Sequence, residues 1–125
     1  MTEKIRSFTD LVAWKEAHQL VLSIYQATKT FPREEKYSLI DQMRRSALSI
    51  SSNIAEGFSR QSKKEKAQFY FTAKGSITEL QNQLLVAKDV EYLPEKEFSV
   101  IADQTVHVHK LVNGLIRSSL EAQRP

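Results

Sequence analysis

Apolar residues recur at spacings of three and four along most of the chain, which predicts four amphipathic helices separated by short breaks. The first spans about 10–29. Leu11, Trp14, Ala17, His18, Val21, Ile24, Tyr25 and Thr28 share one broad face, Lys15, Glu16, Gln19, Ser23 and Gln26 fall opposite, and Thr9 or Asp10 is placed to cap the start. Pro32 disfavours helix at Phe31, whose ring is positioned to plug the end of a core. The second helix, 36–59, carries Leu39, Ile40, Met43, Ala47, Ile50, Ile54 and Phe58 on one stripe, with the small or polar Ser46, Asn53 and Gly57 beside it. Those three would let a neighbouring backbone approach, and a covered Asn53 would need hydrogen-bond partners. Ser62 and Glu65 have capping-box spacing and open the third helix, 63–90. Its main stripe is Phe69, Ala73, Ser76, Ile77, Leu80, Leu84 and Ala87, and a second, partly apolar strip holds Phe71, Gly75, Thr78, Asn82, Leu85 and Val86. After Pro94 a fourth helix, 95–119, aligns Phe98, Ile101, Thr105, Val108, Val112 and Leu115, with Ile116 alongside.

Four helices of this length joined by short turns predict an all-α fold, an antiparallel up-down-up-down four-helix bundle, and 125 residues suffice for one domain spanning 1–125. Only three glycines and three prolines punctuate it. With no cysteine, neither disulfides nor thiolate metal sites contribute, which suits a reducing cytoplasm. No apolar run reaches the roughly 18 residues that would span a bilayer, so a soluble cytoplasmic protein with no membrane partner is expected.

Charge changes the picture. The net charge is +3, but from Gln42 to Gly75 seven basic residues face two acidic ones, whereas from Ser76 to Gln104 six acids face two lysines. In an up-down bundle the turn between the second and third helices shares an end with both termini. Lys63, Lys64 and Lys66 fall in a first helical turn, where cations oppose the dipole at a cost of a few tenths of a kcal/mol each. With Arg60, Lys4, Arg6 and Arg117 nearby, they form a candidate phosphate-binding patch, to which Arg44 of helix two is added. The competing reading is a solvated charged end, and for Arg45 an ion pair with Asp41 is the better account. Aromatic residues are not interleaved with the cations, which favours backbone or shape reading over base reading.

Catalytic patterns are missing. No GxSxG, P-loop or GxGxxG occurs, and Ser46, Ser49, Ser51 and Ser52 have no histidine within helical reach. His107 and His109, two apart on a helix, face nearly opposite sides; His18 and His109 could meet across helices one and four, but no Glu-x-x-His completes a di-metal bundle site. No enzyme activity, metal or cofactor is expected.

The run Phe31-Pro32 with Glu35 and Tyr37, then Gln42-Met43-Arg44-Arg45, Ser49-Ile50, Asn53-Ile54-Ala55-Glu56-Gly57, and later Gly75-Ser76 with Glu79-Leu80, resembles the bacterial four helix bundle proteins, also called 23S rRNA intervening-sequence proteins. The resemblance covers about Phe8 to Ser118 and departs at Val90-Glu91, where relatives often have glycine. It implies an up-down bundle assembling into a ring, a homopentamer, with relatives encoded within rRNA intervening sequences and a distant relative associated with nucleic acid and a reverse transcriptase. The second strip of helix three (Phe71, Gly75, Thr78, Asn82 and Leu85), with Arg45, Leu48 and Ala55 of helix two, is the candidate oligomer interface. The function expected is that of a non-enzymatic homo-oligomer binding RNA or DNA through its basic end. The alternative is a protein-protein interaction scaffold with no nucleic-acid role.

Overall fold

The computed structural model describes residues 4–121. Its helices are α1 (Val12–Thr28), α2 (Asp41–Ser59), α3 (Lys63–Asp89) and α4 (Glu95–Glu121), and they form a four-helix bundle in which each packs on the next and α4 returns to α1. Cross-links fix the antiparallel register. Thr28 meets Arg44, Ser49 meets Ser76, and Gln81 meets Thr105, so numbers rise along one helix as they fall along its neighbour.

The periodicity locates the core with instructive errors. Met43, Ala47, Ile50 and Ile54 on α2, and Ala73, Ile77 and Leu80 on α3, are fully shielded from solvent. On α1 the centre of the face lies one notch from the pattern drawn from sequence: Leu20, outside that pattern, is fully buried, whereas Leu11, Trp14 and Tyr25 are half-buried at its margins. On α3, Tyr70 rather than Phe69 turns inward, because Gly57 of α2 leaves room for its ring. On α4, Ile116 enters the core and Leu115 lies at its edge. Each fully buried aliphatic side chain contributes about 1.5–3 kcal/mol of transfer free energy, an upper figure because the unfolded chain already shields part of it.

α3 and α4 begin at 63 and 95 as expected, whereas the starts of the first two helices differ from expectation. Neither Thr9 nor Asp10 caps α1. Ser7 caps a separate 3₁₀ turn, Phe8–Asp10, and the Asp10 carboxylate reaches back to the amides of Arg6 and Ser7 at 3.0 and 3.2 Å. Those bonds, that from Arg6 first, hold the Asp10 carboxyl below its ordinary pKa. Leu11 is then extended, and α1 begins at Val12 without a side-chain cap. Behind the turn, the rings of Phe8 and Trp14 meet edge to face with centroids 5.3 Å apart, and His18 stacks on Trp14 at 4.8 Å.

A π turn, Lys36–Ile40, runs directly into α2, and Glu35 caps it by accepting from the Ser38 hydroxyl at 2.6 Å and the Leu39 amide at 3.4 Å. Phe31 is buried and its ring meets that of Tyr92 at 5.6 Å, closing this end of the bundle. Tyr92 also donates to Glu35 at 3.1 Å, tying the two loops together. At the end of α3, Glu91 has a φ of 66°, and the Tyr92 amide bonds back to the Ala87 carbonyl at 2.9 Å, the six-to-one bond of a Schellman stop. The departure from glycine thus falls on a left-handed residue.

Candidate nucleic-acid interface

The sharp corner between α2 and α3 exists because Arg60 is extended, with φ −75° and ψ 149°, and Ser62 caps the helix that follows. The Ser62 hydroxyl accepts from the Glu65 amide at 3.1 Å. The reciprocal half of the expected box is not made, since the Glu65 carboxylate takes the Ser62 hydroxyl at 3.2 Å instead of its backbone amide. Lys63 and Lys64 are therefore projected from the first turn of α3. Both are exposed, and neither has an ion-pair partner among the described residues.

The other cations assigned to this patch have different occupations. Lys66 folds back over Phe58, donating to the Phe58 carbonyl at 2.6 Å and the Gly57 carbonyl at 3.3 Å, so it caps the C-terminus of α2. Burial, and then the charge of Lys63, lowers its pKa from the ordinary lysine value. Arg60 pairs with Glu56 at 2.9 Å and lies over the Phe69 ring at 4.6 Å. Lys4 and Arg6 are exposed on the segment leading into the Phe8–Asp10 turn, and that turn packs against α2.

Arg44 does not belong to this end. It lies sixteen residues before Arg60 on the same helix, about 24 Å away along the axis. Its guanidinium covers the Tyr25 ring at 4.5 Å and donates to the Thr28 hydroxyl at 3.0 Å and the Tyr25 carbonyl at 3.4 Å, clamping the last turn of α1. Asp41, in reach of both arginines by spacing, pairs with Arg45 alone, at 3.0 Å. The opposite end is also less acidic than the stretch from Ser76 onward suggests, since Arg33 and Lys36 of the first loop flank Glu34 and Glu35 there.

Of the candidate interface residues, Leu48, Phe71 and Leu85 are exposed at between 42% and 49%, Val86 adds 43%, and Arg45, Gly75, Thr78 and Asn82 are exposed with them. Ala55 is half-covered. Of the small residues beside the α2 core stripe, Gly57 lies against Tyr70 and Phe69 of α3 as expected, and Asn53 finds its hydrogen-bond partners within its own helix, in the carbonyl and hydroxyl of Ser49, which also shares a 2.8 Å hydrogen bond with Ser76 of α3. His18 is held by Trp14, and His109 shares a 3.4 Å contact with the Asn113 amide; no cluster of three potential metal ligands occurs among the described residues.

Two surfaces escaped the reading of the sequence. One is a groove of about 810 Å³ between α1 and α4, bordered by Leu22, Ala27, Val100 and Ile101. The other is a shallow recess of about 360 Å³ between α3 and α4, lined by Lys74, Lys110, Asn113, Ile116 and Arg117. The spacing of Lys110, Asn113 and Arg117 at three and seven marks a polar stripe on α4, but placing Lys74 opposite it requires the register of α3 against α4.

These helices and surfaces define a four-helix bundle with a cationic corner and no helix long and apolar enough to cross a membrane among the described residues. The chain belongs to the 23S rRNA-intervening sequence protein family, whose model matches residues 9–114. It is also similar to a solved protein of unknown function from the S23 ribosomal protein family of Bacteroides thetaiotaomicron: TM-score 0.79, 22% identity, 85% of this chain and 96% of that chain covered. At that identity the likeness establishes the fold alone. No curated protein matches the sequence.

Proposed function

We propose that this chain is a non-enzymatic, homo-oligomeric bundle that binds RNA or DNA phosphates through the corner between α2 and α3. The observation carrying this reading is the pair Lys63 and Lys64, exposed and without ion-pair partners among the described residues, at a helix start where the dipole disfavours them. Cations held in an unfavourable place, beside free helical amides, suit an anion that repays both. The family's description by intervening sequences of 23S rRNA makes RNA the first target to test. Replacing Lys63 and Lys64 by glutamate should abolish a salt-sensitive gel shift with structured RNA while the helical circular dichroism is kept. Wild-type protein that gives no such shift would sink the proposal.

Assembly is part of the same proposal. A cyclic ring needs two different surfaces on each copy, one meeting the other on its neighbour. The outer strip of α2 and α3, with Leu48, Phe71 and Leu85, and the groove between α1 and α4 lie on opposite sides of the bundle and supply such a pair. A ring would repeat the cationic corner and raise avidity for a polyanion. Light scattering is expected to give the mass of several chains, five in the ring the family resemblance implies, and Phe71→Asp with Leu85→Asp to reduce it to one. A wild-type monomer at micromolar concentration contradicts the assembly.

A further inference from the structure

We infer that the recess between α3 and α4 lined by Lys74, Lys110, Asn113 and Arg117 seats a phosphate group, supplied by the backbone of the nucleic acid proposed above. Three cations from two helices converge there, no carboxylate lines the recess, and none of the three has an ion-pair partner among the described residues. Bringing like charges together around one concavity raises the energy of the empty state, and an anion relieves it. Asn113 supplies a neutral amide, oriented by its 3.4 Å contact with His109. Ile116, which is buried, also lines the recess, so a ligand here gives up part of its water on an apolar side while the cations and the Asn113 amide surround it.

The position fits one strand continuing from the corner. Lys63 and Lys74 are eleven residues apart on α3, three helical turns, so they stand on one line about 16 Å apart. Arg117 of antiparallel α4 falls at a level between them, because Lys110 to Arg117 runs back along α3 from Lys74 toward its start. Lys63, Arg117, Lys74 and Lys110 thus make a track leading from the corner up the groove between α3 and α4.

The inference rests on the nucleic-acid reading for the source of the phosphate, and its test separates the two. Binding of a fluorescent uridine homopolymer is measured across a salt series for wild type, for Lys74→Gln with Arg117→Gln, and for Asn113→Leu, each checked for intact helical content. If the recess seats a phosphate, the double variant binds several-fold more weakly and its log affinity against log salt is shallower by about 0.7, one single-strand phosphate's worth. Asn113→Leu weakens binding several-fold with the slope unchanged, which a diffuse electrostatic field would not produce. Variants that match wild type while Lys63→Glu with Lys64→Glu loses binding overturn the recess and leave the corner standing. Should wild type ignore the RNA, pyrophosphate followed by amide NMR decides: saturable shifts at Gly114 and the Asn113 side chain that vanish in the double variant support a phosphate seat with another source, and their absence overturns it.

Discussion

The buried ring of Tyr70 occupies the space that a side chain at Gly57 would need. A β-carbon on Gly57 would stand 2.6 Å from Tyr70 Cε1 and 2.9 Å from Cδ1. The ring is only 4% exposed and has little freedom to move aside. Alanine at 57 gains about 1 kcal/mol of helix propensity and loses about 1–3 kcal/mol to overpacking. Gly57→Ala is therefore expected to lower the midpoint of thermal unfolding, and Gly57→Ala with Tyr70→Leu to recover part of the loss; a more stable single variant contradicts the packing described.

Lys66 has a structural role where Lys63 and Lys64 have none visible. Its ammonium serves two terminal carbonyls of α2, so Lys66→Met removes a charge-assisted cap and should cost about 1 kcal/mol in urea unfolding. Lys63→Met and Lys64→Met should be nearly neutral for stability. The opposite ranking would remove Lys66 from the cap and return it to the phosphate patch.

Glu91 adopts a φ of 66°, a left-handed conformation that glycine enters freely and a glutamate only at a cost. Glu91→Gly is expected to stabilise the bundle by about 0.5–1 kcal/mol, net of the extra freedom glycine gives the unfolded chain. Denaturant midpoints of the two proteins check it, and a destabilised variant contradicts it.

The Ser38 hydroxyl is the main cause holding the Glu35 carboxyl below the ordinary glutamate value of 4.5, ahead of an opposing effect of burial, with Tyr92 and the Leu39 amide adding to the lowering. A lowered folded-state pKa means that Glu35 contributes stability that is fully present above that value and is lost as pH falls through the lowered one. Glu35→Gln should therefore be less stable near neutrality and lose less on acidification below pH 4.5. Parallel pH curves for the two proteins would show that the carboxylate's bonds are not maintained in solution.

The bundle was legible because burial and periodicity coincide: Met43, Ala47, Ile50 and Ile54 follow the helical repeat without interruption, and all are shielded. Leu20 and Tyr70 were missed because the centre of a face depends on which helix lies opposite, and for Tyr70 on the missing side chain at Gly57. The candidate site was legible as charge but not as partnership. Lys66 read as a phosphate-binding cation, and Arg44 as that or a partner of Asp41, yet each is held by carbonyls at the end of a helix, Arg44 by the last turn of α1 and Lys66 by that of α2. The strained Glu91 and the backward-reaching Asp10 were likewise invisible, since neither residue type announces its backbone geometry.

Trp14 is the only tryptophan in the chain, and it is held between the ring of Phe8 and the plane of His18. Its fluorescence is consequently a local optical gauge of the entry turn, while circular dichroism sums over all four helices. A heating curve read by both signals separates the two: the interval between their midpoints measures how far the Phe8–Asp10 turn lifts away before the bundle itself comes apart.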